Sequence, residues 1–108
     1  MATIQDLQKL DVRVGQVLKV EDFPAARKPA YKLYIDFGSL GVKKSSAQIT
    51  DLYAKEDLVG RQVVAVVNFP PLQVADFLSE VLVLGAVAEG GVVLLKPDRT
   101  VPPGTPIA

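Results

Sequence analysis

Apolar and polar positions alternate most regularly between Tyr31 and Phe37. Tyr31, Leu33, Ile35 and Phe37 fall on one side and Lys32, Tyr34 and Asp36 on the other, which predicts a strand with one buried face. Upstream, Val12 and Val14 flank Arg13, Gly15 interrupts, and apolar positions resume at Val17, Leu18 and Val20. This reads as one long strand bent at Gly15 by a bulge or sharp coil. "VKKSSAQI" predicts a further strand, and "DLYAKEDLVG" a short helix stopped by Gly60. The β-branched run "RQVVAVVNF" is the most deeply buried strand, ended by Pro70 and Pro71. "SEVLVLGAVA" and "VVLLKP" then pair across the turn "EGG". Before all of these, Thr3 and Asp6 mark a helix start, with Ile4, Leu7 and Leu10 at helical spacing.

Many short strands with Gly/Pro turns favour a small closed barrel over a sandwich. A helix between the third and fourth strands matches the five-stranded Greek-key barrel of the OB-fold. The expectation is therefore a mainly all-β chain, residues 1–108 forming one domain. Its barrel spans about 11–97, with a short N-terminal helix (1–10) and an extended C-terminal tail (98–108) outside it.

The chemical inventory narrows the function. The 108 residues contain no Cys and no His, so Ser-His-Asp and Cys-His catalysis are excluded and the commonest metal ligands are missing. No spacing suggests paired carboxylates, so no enzyme activity, cofactor or metal is expected. The chain starts without a basic segment followed by an apolar run, and no stretch reaches ~18 consecutive apolar residues. A cytoplasmic protein without membrane insertion is the expectation. Net charge is zero, yet residues 25–50 carry Arg27, Lys28, Lys32, Lys43 and Lys44 against Asp36 alone. One basic region on a neutral protein is either a solvated face or an electrostatic footprint for an anionic partner.

Four segments carry a family resemblance. "DVRVGQV" with the later "KLY", then "VVNFPP" and "SEVLVLGA", resemble in order the motifs of the tRNA-binding domain family, found in some aminoacyl-tRNA synthetases and their cofactors. The longer strings "FPAARKPAYKLYIDFG", "GVKKSSAQIT", "GRQVVAVVNFPP" and "SEVLVLG" look like its CsaA branch, stand-alone bacterial proteins described as secretion-related chaperones. Two departures from the broader family point to the same branch. Phe23-Pro24-Ala25-Ala26 stands in place of a histidine motif, and Val81-Leu82 in place of Gly-Met. The resemblance implies tRNA as a partner, unfolded or secretory preproteins and the export machinery as further partners, and a homodimer. An RNA-binding module alone, serving as a tRNA-handling accessory factor, is the alternative.

In an OB barrel the second and third strands form the ligand face. Lys32, Lys43 and Lys44 would then meet phosphates, with Ser45, Ser46 and Gln48 bonding phosphate, sugar or base edges. By alternation Lys43 and Lys44 cannot share a face, so one serves the rim only. Tyr34 lies on the side of Lys32, either to stack a base or to pack the core. Arg27 and Lys28 extend the basic edge or form a solvated loop. By family position Asn68 lines the site, or else it ties loop backbone, and Ser79 opens the last motif. Phe69, Pro70, Pro71 and Phe77 form an apolar rim that would grip a peptide, or else satellite core. Glu80 would hold a lysine or contact a basic peptide. The apolar stripes of the extensions (Ile4, Leu7 and Leu10; Val101 and Ile107) predict a dimer interface, or a helix folded back over one barrel end.

Overall fold

The computed structural model describes residues 1–108, and the fold is the expected OB-type barrel. Helix α1 (Ile4–Gln8) is followed by strands β1 (Val12–Asp22), β2 (Tyr31–Asp36) and β3 (Val42–Ala47), then α2 (Lys55–Leu58) and β4 (Gln62–Val66). Five short strands complete the chain: β5 (Leu72–Val74), β6 (Phe77–Ser79), β7 (Leu82–Val83), β8 (Gly85–Ala88) and β9 (Gly91–Leu94). The main antiparallel sheet has the order β3-β2-β1-β4-β7, and β5-β6 and β8-β9 are separate hairpins. Residues 79–80 help close the barrel onto β3. The Glu80 N–H donates to the Lys44 carbonyl (2.8 Å), and the Lys44 and Ser46 N–H groups donate to the Glu80 carboxylate and the Ser79 hydroxyl.

The inward positions of β2 predicted by alternation are buried. Leu33, Ile35 and Phe37 are inaccessible to solvent and pack with Val17, Ile49, Val63, Ala65, Val81 and Leu94. Leu58 of α2 is also fully buried in this cluster, so one turn of helix contributes a single large apolar side chain to the core. A second cluster joins Phe23, Ala30 and Phe77.

The bend in β1 differs from expectation. The extra residue is Leu18, where pairing with β2 skips from Val17↔Ile35 to Lys19↔Tyr34. Gly15 stays within the ladder to β4 and serves close approach instead. A Cβ there would overlap the Ile35 side chain and lie 2.6 Å from Phe37 Cε1. The strand expected over Ser79–Ala88 is broken into β6, β7 and β8, and the Leu84 N–H returns to Val64. The hairpin β5-β6 was not foreseen, because its turn holds Ala75 at φ 51 without a glycine to announce it.

The tail belongs to the barrel. Gly104 and Ile107 donate to the carbonyls of Val14 and Val12, and the Val14 N–H donates to Thr105 (2.7, 2.8 and 2.9 Å). The tail thereby pairs the stretch of β1 that precedes its contact with β2. Arg13 bonds the Asp11 carboxylate with two nitrogens and reaches the Gly104 carbonyl with a third. Gln62 clamps both backbone atoms of Val101. The Val101 backbone is therefore held by its own chain, and its side chain is half-buried.

A candidate nucleic-acid interface on the β1-β2-β3 face

Cross-strand register places six outward side chains in two rows, Lys19–Tyr34–Lys44 and Glu21–Lys32–Ser46. Lys32, Lys44, Tyr34 and Ser46 share the face as alternation implied. Lys43 does not. It pairs with Ile35, on the side that also carries Ser45 and Ala47, and so lies at the far rim. Ser45 is 1% exposed and its hydroxyl turns to the Ser46 carbonyl (3.4 Å), so it is a core residue without access to a ligand. Lys19 is a face residue that the sequence did not reveal. Strict alternation from Val17 puts it inward, and the extra residue at Leu18 turns it out.

The three lysines rest on aromatic rings. Lys32 Nζ lies 4.9 Å from the Phe23 ring centre and 5.3 Å from that of Phe77, Lys44 Nζ lies 5.2 Å from Phe77, and Lys19 Nζ 5.1 Å from Tyr34. Phe77 meets Phe23 and Tyr34 edge-to-face, at 5.4 and 6.4 Å. Such contacts hold each ammonium at about 0.5–1 kcal/mol while leaving its donors free for an anion. The arrangement corrects two expectations. Phe77 is 5% exposed and lies beneath two lysines, so it is floor and not rim. Tyr34 is no free stacking platform, since its ring meets Lys19 and Phe77 and its hydroxyl donates to Glu21 (2.8 Å). That hydrogen bond, aided by Lys19 at 3.4 Å, holds the Glu21 carboxyl below its ordinary range, and the same bond with burial and the Glu21 charge raises the Tyr34 phenol above its own.

Beside this face lies a cavity of 780 Å³ between two loops. Ala25, Ala26, Arg27, Lys28 and Ala30 form one wall, Gln73, Val74 and Ala75 the other, and Ser46 and Gln48 the floor. Arg27 and Lys28 therefore do extend the basic edge, and the β5-β6 hairpin supplies the wall that sequence reasoning missed.

Other predicted residues have backbone duties. Asn68 accepts from the Asp11 N–H (2.9 Å) and donates to the Lys9 carbonyl (2.8 Å), so its amide ties α1 to the barrel and not to a ligand. The side-chain oxygens of Ser79 and Glu80 accept from the Ser46 and Lys44 N–H groups of β3, and both residues also line the groove that holds Phe69 and Pro70. Phe69 and Pro70 line a second groove of 640 Å³ with Leu72, Val81, Leu82, Val83, Val87, Val92 and Leu94. Pro71 is exposed but does not line it.

Residues 12–106 match the family model described as "Putative tRNA binding domain". The chain belongs to the tRNA-binding domain family, in its CsaA-like branch. It is 58% identical to the chaperone CsaA of Bacillus anthracis, with TM-score 0.95 over 100% of this chain and 99% of that one. It is 55% identical to the CsaA chaperone protein of Picrophilus torridus, with TM-score 0.96 and full coverage of both. It is also 38% identical over 103 residues to the methionine–tRNA ligase of Archaeoglobus fulgidus, covering 95% of this chain and 15% of the ligase. The chain thus spans about one seventh of the curated relatives it matches. No helix is long and apolar enough to cross a membrane.

Proposed function

We propose that this protein binds tRNA through the face bearing Lys19, Lys32, Lys44 and Ser46, flanked by Arg27 and Lys28. The observation that carries the reading is the set of three ammonium groups fixed over aromatic rings on the strand face where OB barrels receive oligonucleotides. Covered rings favour contact with the phosphate backbone over base stacking.

A second activity, as a cytoplasmic chaperone for unfolded or exported preproteins on their way to the export machinery, is supported by the apolar groove around Phe69 and Leu82. Similarity to proteins named as chaperones supports it too. Ile4, Leu7, Leu10 and Ile107 are 71%, 59%, 37% and 45% exposed, so each presents apolar surface for a homodimer. Deleting the tail would open β1, so point substitutions are the sound probe of that interface. Light scattering should give a dimer for the intact chain and a monomer for Ile4→Ser with Leu7→Ser, and an intact monomer refutes the assembly.

One titration separates the activities. Phosphate contacts weaken steeply with salt and apolar contacts do not. Labelled tRNA should dissociate as salt rises, while suppression of aggregation of an unfolded client persists. Loss of both together refutes the apolar groove as the client site, and no suppression at any salt leaves only the RNA-binding accessory role.

A further inference from the structure

A third cavity shares no lining residue with either site above. It encloses 280 Å³ where the Gly60–Gln62 segment meets the start of the tail, and none of its eight lining residues is hydrophobic. Arg61 sits in its wall with a guanidinium that finds no acceptor. It joins none of the ion pairs of the fold, and its Nε is shielded from solvent and unpartnered. The Tyr53 ring, 5.1 Å from Arg61 Cζ, holds the guanidinium in place. Tyr53 is itself fixed, because its hydroxyl accepts from the Leu94 N–H and its carbonyl from the Tyr31 hydroxyl. Lys96, also without an ion pair, and Thr100 complete the donors of the cavity, whereas the amide nitrogens of Gln16 and Gln62 are spent on Gly60 and Val101. Asp98 lines the cavity but pairs with neither cation.

A half-buried guanidinium without an acceptor is costly unless something outside the protein satisfies it. The walls select the chemistry. With no hydrophobic residue in its lining, the cavity offers an aliphatic or aromatic ligand little to bury against. Two cations exclude a metal ion. A planar fork beside an ammonium and a hydroxyl matches a tetrahedral oxyanion, bonded by two nitrogens on one side and a point charge on the other. We propose that Arg61, Lys96 and Thr100 form a site for a single phosphate group, as free phosphate or as a terminal phosphomonoester. The site stands independently of the tRNA-binding face, since no residue is common to the two.

The test is a residue-resolved NMR titration of the full chain with inorganic phosphate. Saturable shifts at the Gly60, Gln62 and Thr100 amides in the millimolar range support the site. Shifts confined to Lys44, Ser46 and Gln48, or the absence of saturation, overturn it. Arg61→Gln should weaken the response about tenfold or more, and Arg61→Lys, which keeps charge without the fork, should fall between. A wild-type response in Arg61→Gln overturns the assignment. Lys96→Ala, at an exposed position, should weaken binding severalfold without loss of fold, and an unchanged affinity there also overturns it. A mononucleotide 5′-phosphate and an RNA oligonucleotide with either a 5′-phosphate or a 5′-hydroxyl identify the source. Competition by the phosphorylated forms alone marks a terminal phosphate, and none by either marks the free anion.

Discussion

Replacing Lys32 and Lys44 with Gln tests whether the strand face carries the RNA contact. The face and its loop present Lys19, Lys32, Lys44, Arg27 and Lys28, with Glu21 offsetting one charge. About 3–5 phosphate contacts correspond to a slope of roughly −2 to −4 in log affinity against log salt. Removing two contacts should flatten the slope by about 1.4–1.8, since each phosphate contact contributes roughly 0.7–0.9. Lys43→Gln removes one charge, half that of the double variant, from a neighbouring residue whose register partner is Ile35, and should leave the slope unchanged. The assay is fluorescence anisotropy of labelled tRNA at five or more salt concentrations. Both lysines also cover Phe77, so the double variant loses about 0.5–1 kcal/mol of cation–π contact per ring met, and binding is compared well below its melting temperature. An unchanged slope in the double variant, or an equal fall in Lys43→Gln, refutes the assignment of the face.

Three further outcomes follow from the geometry. Gly15→Ala drives a methyl into Ile35 and Phe37 and should cost about 1–3 kcal/mol in urea unfolding, as overpacked cores do. Ala75→Gly relieves a positive φ in the β5-β6 turn and should stabilise by about 0.5–1 kcal/mol, seen as a rise in melting temperature. Because the folded-state pKa of Glu21 is depressed, its stabilising bond from Tyr34 is fully present above the ordinary carboxylate value of about 4.3 and is lost as pH falls through the lowered one. From neutral pH downward, the Tyr34 ring resonance should therefore hold steady and then move in acid, and Glu21→Gln should abolish that movement.

The elements most legible in the sequence were those set by local pattern. Alternation over Tyr31–Phe37 located the core strand, and Thr3 with Asp6 marked a capping box whose two reciprocal hydrogen bonds are both present. The site was legible where register followed alternation, at Lys32, Lys44 and Ser46. It was hidden where a long-range effect intervened. A bulge at Leu18 turned Lys19 outward, and no rule of period two reveals a bulge. Asn68, Ser79 and Glu80 look like ligand residues in one dimension, yet bond backbone groups 33 or more residues away. The apolar rim read at Phe77 failed for a related reason, since an aromatic in a loop-like stretch is exposed only if no neighbouring strand lays side chains across it. The lysines of β2 and β3 do so.

The tail's hydrogen bonds to β1 constrain how the protein is made. Arg13 and Gly104 are 91 residues apart in sequence, so β1 is synthesised well before the segment that pairs its edge. Until residues 104–107 are free to pair, the Val12–Val14 edge presents unpaired N–H and C=O groups to any extended chain nearby. The barrel thus cannot close before residues 104–107 have been made, and a chain that lacks them would carry an open, adhesive edge. Closure by the final segment also makes the fold rich in non-local pairing, which slows it relative to helical domains of equal length.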